Sequence, residues 1–304
     1  MARTLQSQLI LSLIDRVTAP ARGVQASMDR LNTRIAATNE RASQVGGKLA
    51  VAAAQATGFA LAMAQPVRAA MDLESAMADV RKVVDFPTPE AFRQFQEELV
   101  QMSTELPIAV TGLAEIAAAA GQAGSAGKDL TRFTREAAQI GVAFDISAGE
   151  AGDAMAKMMT GLDLTIDEVV SLSDAMNHLS NAQASSAAQV LDVVRRAGAQ
   201  GRQYGYTAEQ TAAFASAMIS AGAESDVAAT SFMNMGRALT RGTSATKRQN
   251  AAYSQLGLNA TDVAKRMQED AVGTTIDVME RLSQLPKEMQ AAISSDLFGD
   301  EARA

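Results

Sequence analysis

Ser147-Ala-Gly-Glu150-Ala-Gly-Asp-Ala-Met-Ala-Lys-Met-Met-Thr-Gly161 decides how the rest of the chain is read, because it is echoed at Thr207-Ala-Glu-Gln210 through Gly222. Each copy opens on a hydroxyl residue followed three positions later by Glu or Gln. In such a capping box the hydroxyl accepts from the amide of the third residue, whose side chain reaches back to the cap's own amide. Ala154, Met155, Met158 and Met159 in the first copy, and Ala213, Phe214, Ala217 and Met218 in the second, supply small or flexible apolar contacts. The spacing predicts helices of about four turns. Gly161 and Gly222 are expected to close them in the left-handed conformation that glycine reaches without strain. A third box, Thr165-Ile-Asp-Glu168, follows almost at once, so a helical hairpin is expected.

Working outward, 304 residues suffice for one large domain or two ordinary ones. Aromatic residues make up 4% of the chain and Trp is absent, so the cores must be built from Ala, Leu, Val and Met. No stretch sustains the period-2 alternation of a half-buried strand. The expected fold class is all-α, with long N-terminal amphipathic or coiled-coil helices followed by a bundle or array of short helical hairpins.

Residues 1–70 hold 8 Lys/Arg against 3 Asp/Glu and the remainder 19 against 31, so net charges of +5 and −12 lie either side of residue 70. That change of sign is taken as the boundary between a basic arm, 1–70, and a core, 71–304. In the arm, Leu5, Leu9, Ile10, Leu13, Ile14 and Val17 share a helical face that ends at Pro20. Val24, Met28, Leu31, Ile35, Thr38, Ala42, Val45 and Leu49 then recur at alternating spacings of four and three, continuing through Ala52, Ala56, Phe59 and Met63. A 3.5-residue repeat predicts a left-handed supercoil between copies of the chain. The competing reading is a single amphipathic helix laid on its own domain, and Gly46, Gly47 and Gly58 weaken the seam. Residues 49–67 carry no charge and as a helix would span about 28 Å, near a bilayer's hydrocarbon thickness. Eight of the 19 are alanine, and Gln55, Gln65 and Pro66 oppose insertion, so only a conditional membrane contact is expected there.

Candidate chemistry is sparse. With no Cys there is neither a disulfide nor a thiolate metal site, which fits a reducing cytoplasm, and His178 stands alone. The N-terminus carries no signal-peptide pattern, so secretion by the usual route is not expected. Gly121-Gln-Ala-Gly124-Ser-Ala-Gly127-Lys128-Asp129 imitates a phosphate loop but lacks the required glycine at Gln122 and the metal-binding hydroxyl at Asp129, and a helix precedes it where a strand is needed. Asp167 and Glu168 are adjacent on a helix and point apart, so they read as first-turn residues meeting the helix dipole. Arg237, Arg241, Lys247 and Arg248 lie in a stretch free of acids from Val227 to Thr261 and form a candidate contact with DNA phosphates or an acidic protein wall. No aromatics are interleaved for base stacking. No catalytic, cofactor or metal residue is assigned, and no enzyme activity is expected.

From about Met71 onward the chain resembles the core region of phage tail tape measure proteins. The resemblance is carried by Met71-Asp-Leu-Glu-Ser-Ala-Met-Ala-Asp-Val-Arg-Lys-Val84, Val110 through Gly124 and the capped helix Ser147–Gly161. It continues through Leu179 to Val190, Val193 to Gly198, Tyr206 to Phe214, Ala221 to Glu224, Leu256-Gly-Leu258 and Asp296-Leu-Phe-Gly-Asp-Glu301. It implies a structural virion protein that templates tail-tube assembly, sets tail length and leaves the tube lumen on DNA ejection. Implied partners are further copies of itself, the tail tube protein, tail assembly chaperones and tail-tip proteins, with DNA bound at most non-specifically. The implied places are the lumen of the virion tail and, during assembly, the host cytoplasm. Family members are commonly longer, so the chain is expected to be the N-terminal part of a larger protein. The alternative reading is a membrane-active helical protein forming part of a DNA-ejection conduit, resting on residues 49–67.

Overall fold

A computed structural model describes residues 68–124 and 129–299, and among them there are helices, turns and loops but no strand. The described residues divide between Ala118 and Ala119 into two compact units.

The first unit begins with α1, helical over 68–83, followed by α2 (Pro89–Glu105) and the start of α3 (Val110–Gln122). Leu73, Met77, Val80 and Val84 are buried at spacings of four and three, the stripe expected of a helix with one apolar face. Phe86 stands beside the α1–α2 turn with its ring centroid 5.2 Å from Phe92, edge-on, and 5.6 Å from Phe95. The Arg81 guanidinium lies 5.0 Å from the centre of the Phe92 ring, a cation–π contact. Thr88 caps α2 by accepting from the Ala91 amide at 3.1 Å, with Pro89 in the first turn, where its missing N–H costs nothing.

The second unit contains α4 (Leu130–Phe144), α5 (Ala148–Gly161), α6 (Ile166–Ala182), α7 (Ala187–Gln203), α8 (Ala208–Ser220) and α9 (Ser225–Leu239). After a 3₁₀ turn at Gly242–Ser244 come α10 (Lys247–Gln255), α11 (Ala260–Glu269), α12 (Ala271–Ser283) and α13 (Lys287–Phe298). Helix α7 is the hub. It packs on α5, α6, α8 and α9 and buries Val190, Leu191, Val193, Val194 and Ala197. Gly201 and Gly236 permit this closeness: a Cβ on Gly201 would lie 2.6 Å from Thr211 Oγ1, and one on Gly236 would lie 2.1 Å from the Tyr204 ring.

All three expected capping boxes are present. Glu150 N–H donates to Ser147 Oγ at 3.3 Å while Ser147 N–H donates to Glu150 Oε2 at 3.0 Å. Thr165 with Glu168 and Thr207 with Gln210 repeat the arrangement. Two more boxes escaped the sequence reading, Ser186 with Gln189 on α7 and Thr246 with Gln249 on α10. Their signature was visible as Ser-x-x-Gln and Thr-x-x-Gln, the first followed by the buried stripe Ala187, Val190, Leu191, Val194, Ala197 and Gly198, the second by only a short apolar run.

The glycine stops were half right. Gly222 takes φ +105°, and Ala223 N–H donates back to Met218 O at 3.1 Å, closing α8. Gly161, by contrast, remains inside α5; the left-handed residue is Asp163, φ 51°, and Leu164 N–H donates to Met159 O at 3.0 Å. Asp, whose short polar side chain tolerates this conformation, closes α4 in the same way at Asp145, φ 55°. The same closure recurs at Gly205 and Gly257, with Tyr206 N–H to Gly201 O at 3.0 Å and Leu258 N–H to Tyr253 O at 2.8 Å.

Several buried polar side chains are paired across the unit, while the buried Ser220 hydroxyl finds no partner among the described residues. Tyr206 and Thr275 share a hydroxyl hydrogen bond at 2.5 Å, joining the α7–α8 connection to α12. Tyr253 O–H donates to Ala238 O at 3.0 Å, and burial pushes both tyrosine hydroxyls up to about 12, so they serve as neutral donors. Asp277 accepts from Arg281 and Arg266 at 2.8 Å each, and Arg281 also donates to Leu256 O at 3.2 Å. The Arg281 and Arg266 hydrogen bonds hold the Asp277 carboxyl below its ordinary range.

Two outcomes follow from the helix ends. Gly161→Ala should stabilise the protein by about 0.5–1 kcal/mol, since a Cβ there meets nothing and alanine favours a helix interior. Gly222→Ala should destabilise it by about 1 kcal/mol through left-handed strain. Urea unfolding of both variants checks the pair; equal effects would refute the different roles assigned to the two glycines. The Glu150 carboxyl is lowered by hydrogen bonds from the Ser147 hydroxyl and amide, and Glu168 by those from the Thr165 amide and hydroxyl. Because the folded state holds these groups below their unfolded values, their stabilisation is present above the unfolded glutamate range and is lost as pH falls through the folded one. A Glu150→Gln/Glu168→Gln variant should therefore lose less stability than the wild type on acidification, with Asp277 leaving a residual slope; parallel curves would refute the assignment.

Candidate interaction surface

Arg237, Arg241, Lys247 and Arg248 come from the end of α9, the 3₁₀ turn and the first turn of α10. Their electrostatics are less uniform than the acid-free sequence implies. Arg248 Nε donates to Asp296 Oδ1 at 3.0 Å, so an acid 48 positions away on α13 neutralises it. Arg241 is half-buried and donates to Gln249 Oε1 at 3.3 Å, while Gln249 Nε2 donates to Leu297 O at 3.0 Å. Two of the four cations thus tie the 3₁₀ turn and α10 into the fold and onto α13. Arg237 and Lys247 are exposed and have no ion pair within 4 Å among those found in the described residues. Sequence reasoning missed Asp296 because only packing brings α13 beside α10.

The other candidates resolve into structural roles. Glu168 is the reciprocal half of the α6 cap, and its neighbour Asp167 pairs with Arg132 on α4. Asp167 therefore holds α4 to α6, and the adjacent carboxylates do not converge on one point. His178 is exposed one turn before the end of α6. Gly121 lies in α3 and Gly124 turns left-handed at φ 79°, while residues 125–128 of the phosphate-loop imitation lie outside the described residues. Among the described residues no group of three or more His, Cys, Asp or Glu could hold a metal ion. The seam residues Val24, Met28, Leu31, Ile35, Ala42, Val45 and Leu49, together with the uncharged stretch 49–67, also lie outside the described residues. No described helix is long and apolar enough to cross a membrane.

A groove in the second unit runs between α8 and α9 on one side and α12 and α13 on the other. Met218, Met235, Met279 and Phe298 line it with Ala223, Ala228 and the hydroxyls of Ser231 and Ser294. Nothing in that lining titrates near neutrality, so the groove offers a mixed surface of flexible apolar side chains and polar atoms and no acid–base pair.

The architecture thus presents capped helices, structural ion pairs and a methionine-lined groove of mixed polarity. The phage-related minor tail protein family matches residues 96–299. A probable tape measure protein of Halomonas phage phiHAP-1 is 33% identical over 282 residues, covering 88% of this chain and 32% of that relative. The chain therefore spans about a third of the relative's length. No solved structure matches the chain. The resemblance seen in the order of its capped helices is in this way extended to most of the sequence, and the chain belongs to the phage-related minor tail protein family.

Proposed function

We propose that this chain belongs to a tape measure that templates polymerisation of the tail tube, sets tail length and leaves the lumen on DNA ejection. The observation that carries the reading is the 33% identity to a probable tape measure protein over 88% of the chain. A structural role in the phage tail is what the family provides, and the length-setting role is our extension of it. Helices suit a ruler because each residue advances a fixed ~1.5 Å along the axis. The hairpins of the second unit fold that advance back on itself, so any measuring length must come chiefly from segments that stay drawn out.

Within this reading residues 1–70 form an arm that joins copies of the chain through the seam centred on Leu31 and Ile35. Exposed Arg237 and Lys247 are the cations of the basic stretch best placed for an acidic tube wall or for DNA phosphates. Tail tube, tail-tip and assembly-chaperone contacts belong to the same proposal, as do residence in the tail lumen and, during assembly, in the host cytoplasm. A membrane-active conduit remains the alternative and rests on residues 49–67; liposome flotation that depends on that segment is the result that would favour it.

In-frame deletions and duplications of helical segments in the full-length gene should shorten or lengthen assembled tails by up to about 1.5 Å per residue, as seen in electron micrographs. Tails of unchanged length would sink the ruler reading. For the arm, a full-length Leu31→Asp/Ile35→Asp variant should sediment as a monomer where the wild type sediments as an oligomer. A monomeric wild type at micromolar concentration would remove the seam.

A further inference from the structure

The methionines of the second unit stand in three kinds of surroundings. Met155, Met176 and Met267 are fully buried, and Met267 Sδ also accepts from Thr275 Oγ1 at 3.7 Å, so its lone pair is engaged as well as shielded. Met289, near the start of α13, is 37% exposed, and a polar group placed there would stay in water. Met218 and Met279 fall between these cases. Each is half-buried, and each lines the solvent-open groove where α8 and α9 face α12 and α13.

That groove sits where the unit closes on itself. Helix α13 packs on α9, α10 and α12. Gln249 Nε2 donates to Leu297 O at 3.0 Å, one residue before Phe298, which lines the groove. Met235 and Phe298 are the buried apolar members of the lining, while Ser231 and Ser294 bring hydroxyls to it. An apolar side chain is at home among the first pair, and an oxygen-bearing one is not.

We propose that Met218 and Met279 form a peroxide-responsive modification site, whose oxidation to the sulfoxide loosens α12 and α13 from α8 and α9. The sulfur lone pair attacks one oxygen of hydrogen peroxide, forming the S–O bond as the O–O bond breaks. The sulfur gives up two electrons, and the departing hydroxide takes the proton of the new S–OH group and leaves as water. The product is a polar acceptor on a side chain that was apolar. It gains nothing from Met235 or Phe298 and turns to the Ser294 hydroxyl or to water, which draws the side chain out of its packing. Helices α4 to α6 contribute nothing to the lining, so the effect is confined to the groove's own helices.

Hydrogen peroxide treatment of the full chain, followed over time by peptide mass spectrometry, tests access. Met218 and Met279 should gain oxygen within about fivefold of the rate at Met289, and at least ~tenfold faster than Met155, Met176 and Met267. Amide hydrogen exchange on samples from the same time course tests the consequence. Exchange in α12 and α13 should accelerate at least about fivefold in step with sulfoxide at Met218 and Met279, while α4–α6 stay within about twofold of the untreated protein. A Met218→Leu/Met279→Leu variant, which keeps the apolar volume, should still oxidise at Met289 yet show no acceleration in α12 and α13. Groove methionines as slow as the buried ones, acceleration that follows Met289 instead, equal acceleration in every helix, or a variant that responds like the wild type would each overturn the proposal. Should the variant fail to fold, the wild-type time course decides alone.

Discussion

Backbone groups at helix ends must be satisfied, and the rest of this structure depends on how that is done. A helix leaves four amides and four carbonyls without intrahelical partners. In α8, with 13 residues, or α6, with 17, those groups are a large share of the backbone. The solution recurs as a three-residue joint: a left-handed residue closes one helix, an apolar residue follows, and the next residue caps the following helix. Asp145-Ile146-Ser147, Asp163-Leu164-Thr165, Gly205-Tyr206-Thr207 and Gly257-Leu258-Asn259 all take this form. Gly222-Ala223-Glu224 follows the backbone path without a side-chain cap.

The joint does more than end a helix. Its middle residue donates its amide to the preceding helix while its side chain sits at the edge of the core, half-buried in Ile146, Leu164 and Leu258 and fully buried in Tyr206. A connection this short forces consecutive helices to be neighbours, which is why α4–α9 stack with contacts confined to the next two helices. Local satisfaction of hydrogen bonds thus gives α4–α9 their neighbour-on-neighbour stacking, while α10–α13 close through longer-range packing.

Much of this was legible from residue types. Hydroxyl and Glu/Gln pairs three apart gave the starts of α5, α6 and α8, because a capping box is complete within four residues and needs nothing from elsewhere. The stop at Gly161 was misread because glycine permits the left-handed state without demanding it, and Asp163 two positions later took that role under the pull of the Leu164 amide bond. The box on α10 is hard to see because that helix is short and buries few residues, whereas the box on α7 was legible, since Ala187, Val190, Leu191, Val194, Ala197, Gly198 and Gly201 follow it at helical spacing.

The candidate surface divides along the same line. Lone His178, the paired carboxylates and the broken phosphate loop could be weighed by sequence grammar, since each lacks a partner that chemistry requires, and the structure places Glu168 in a helix cap and Asp167 in a pair with Arg132. The basic stretch could not be judged that way, for Asp296 lies 48 residues from Arg248 and meets it only when α13 packs on α10. By itself the sequence determined the all-helical class, the cap positions and the family resemblance, because those are set within a few residues or by the order of local motifs. Tertiary structure alone decided which cations stay free, which glycines serve close approach and how α10–α13 close, because these depend on atoms brought together from distant parts of the chain.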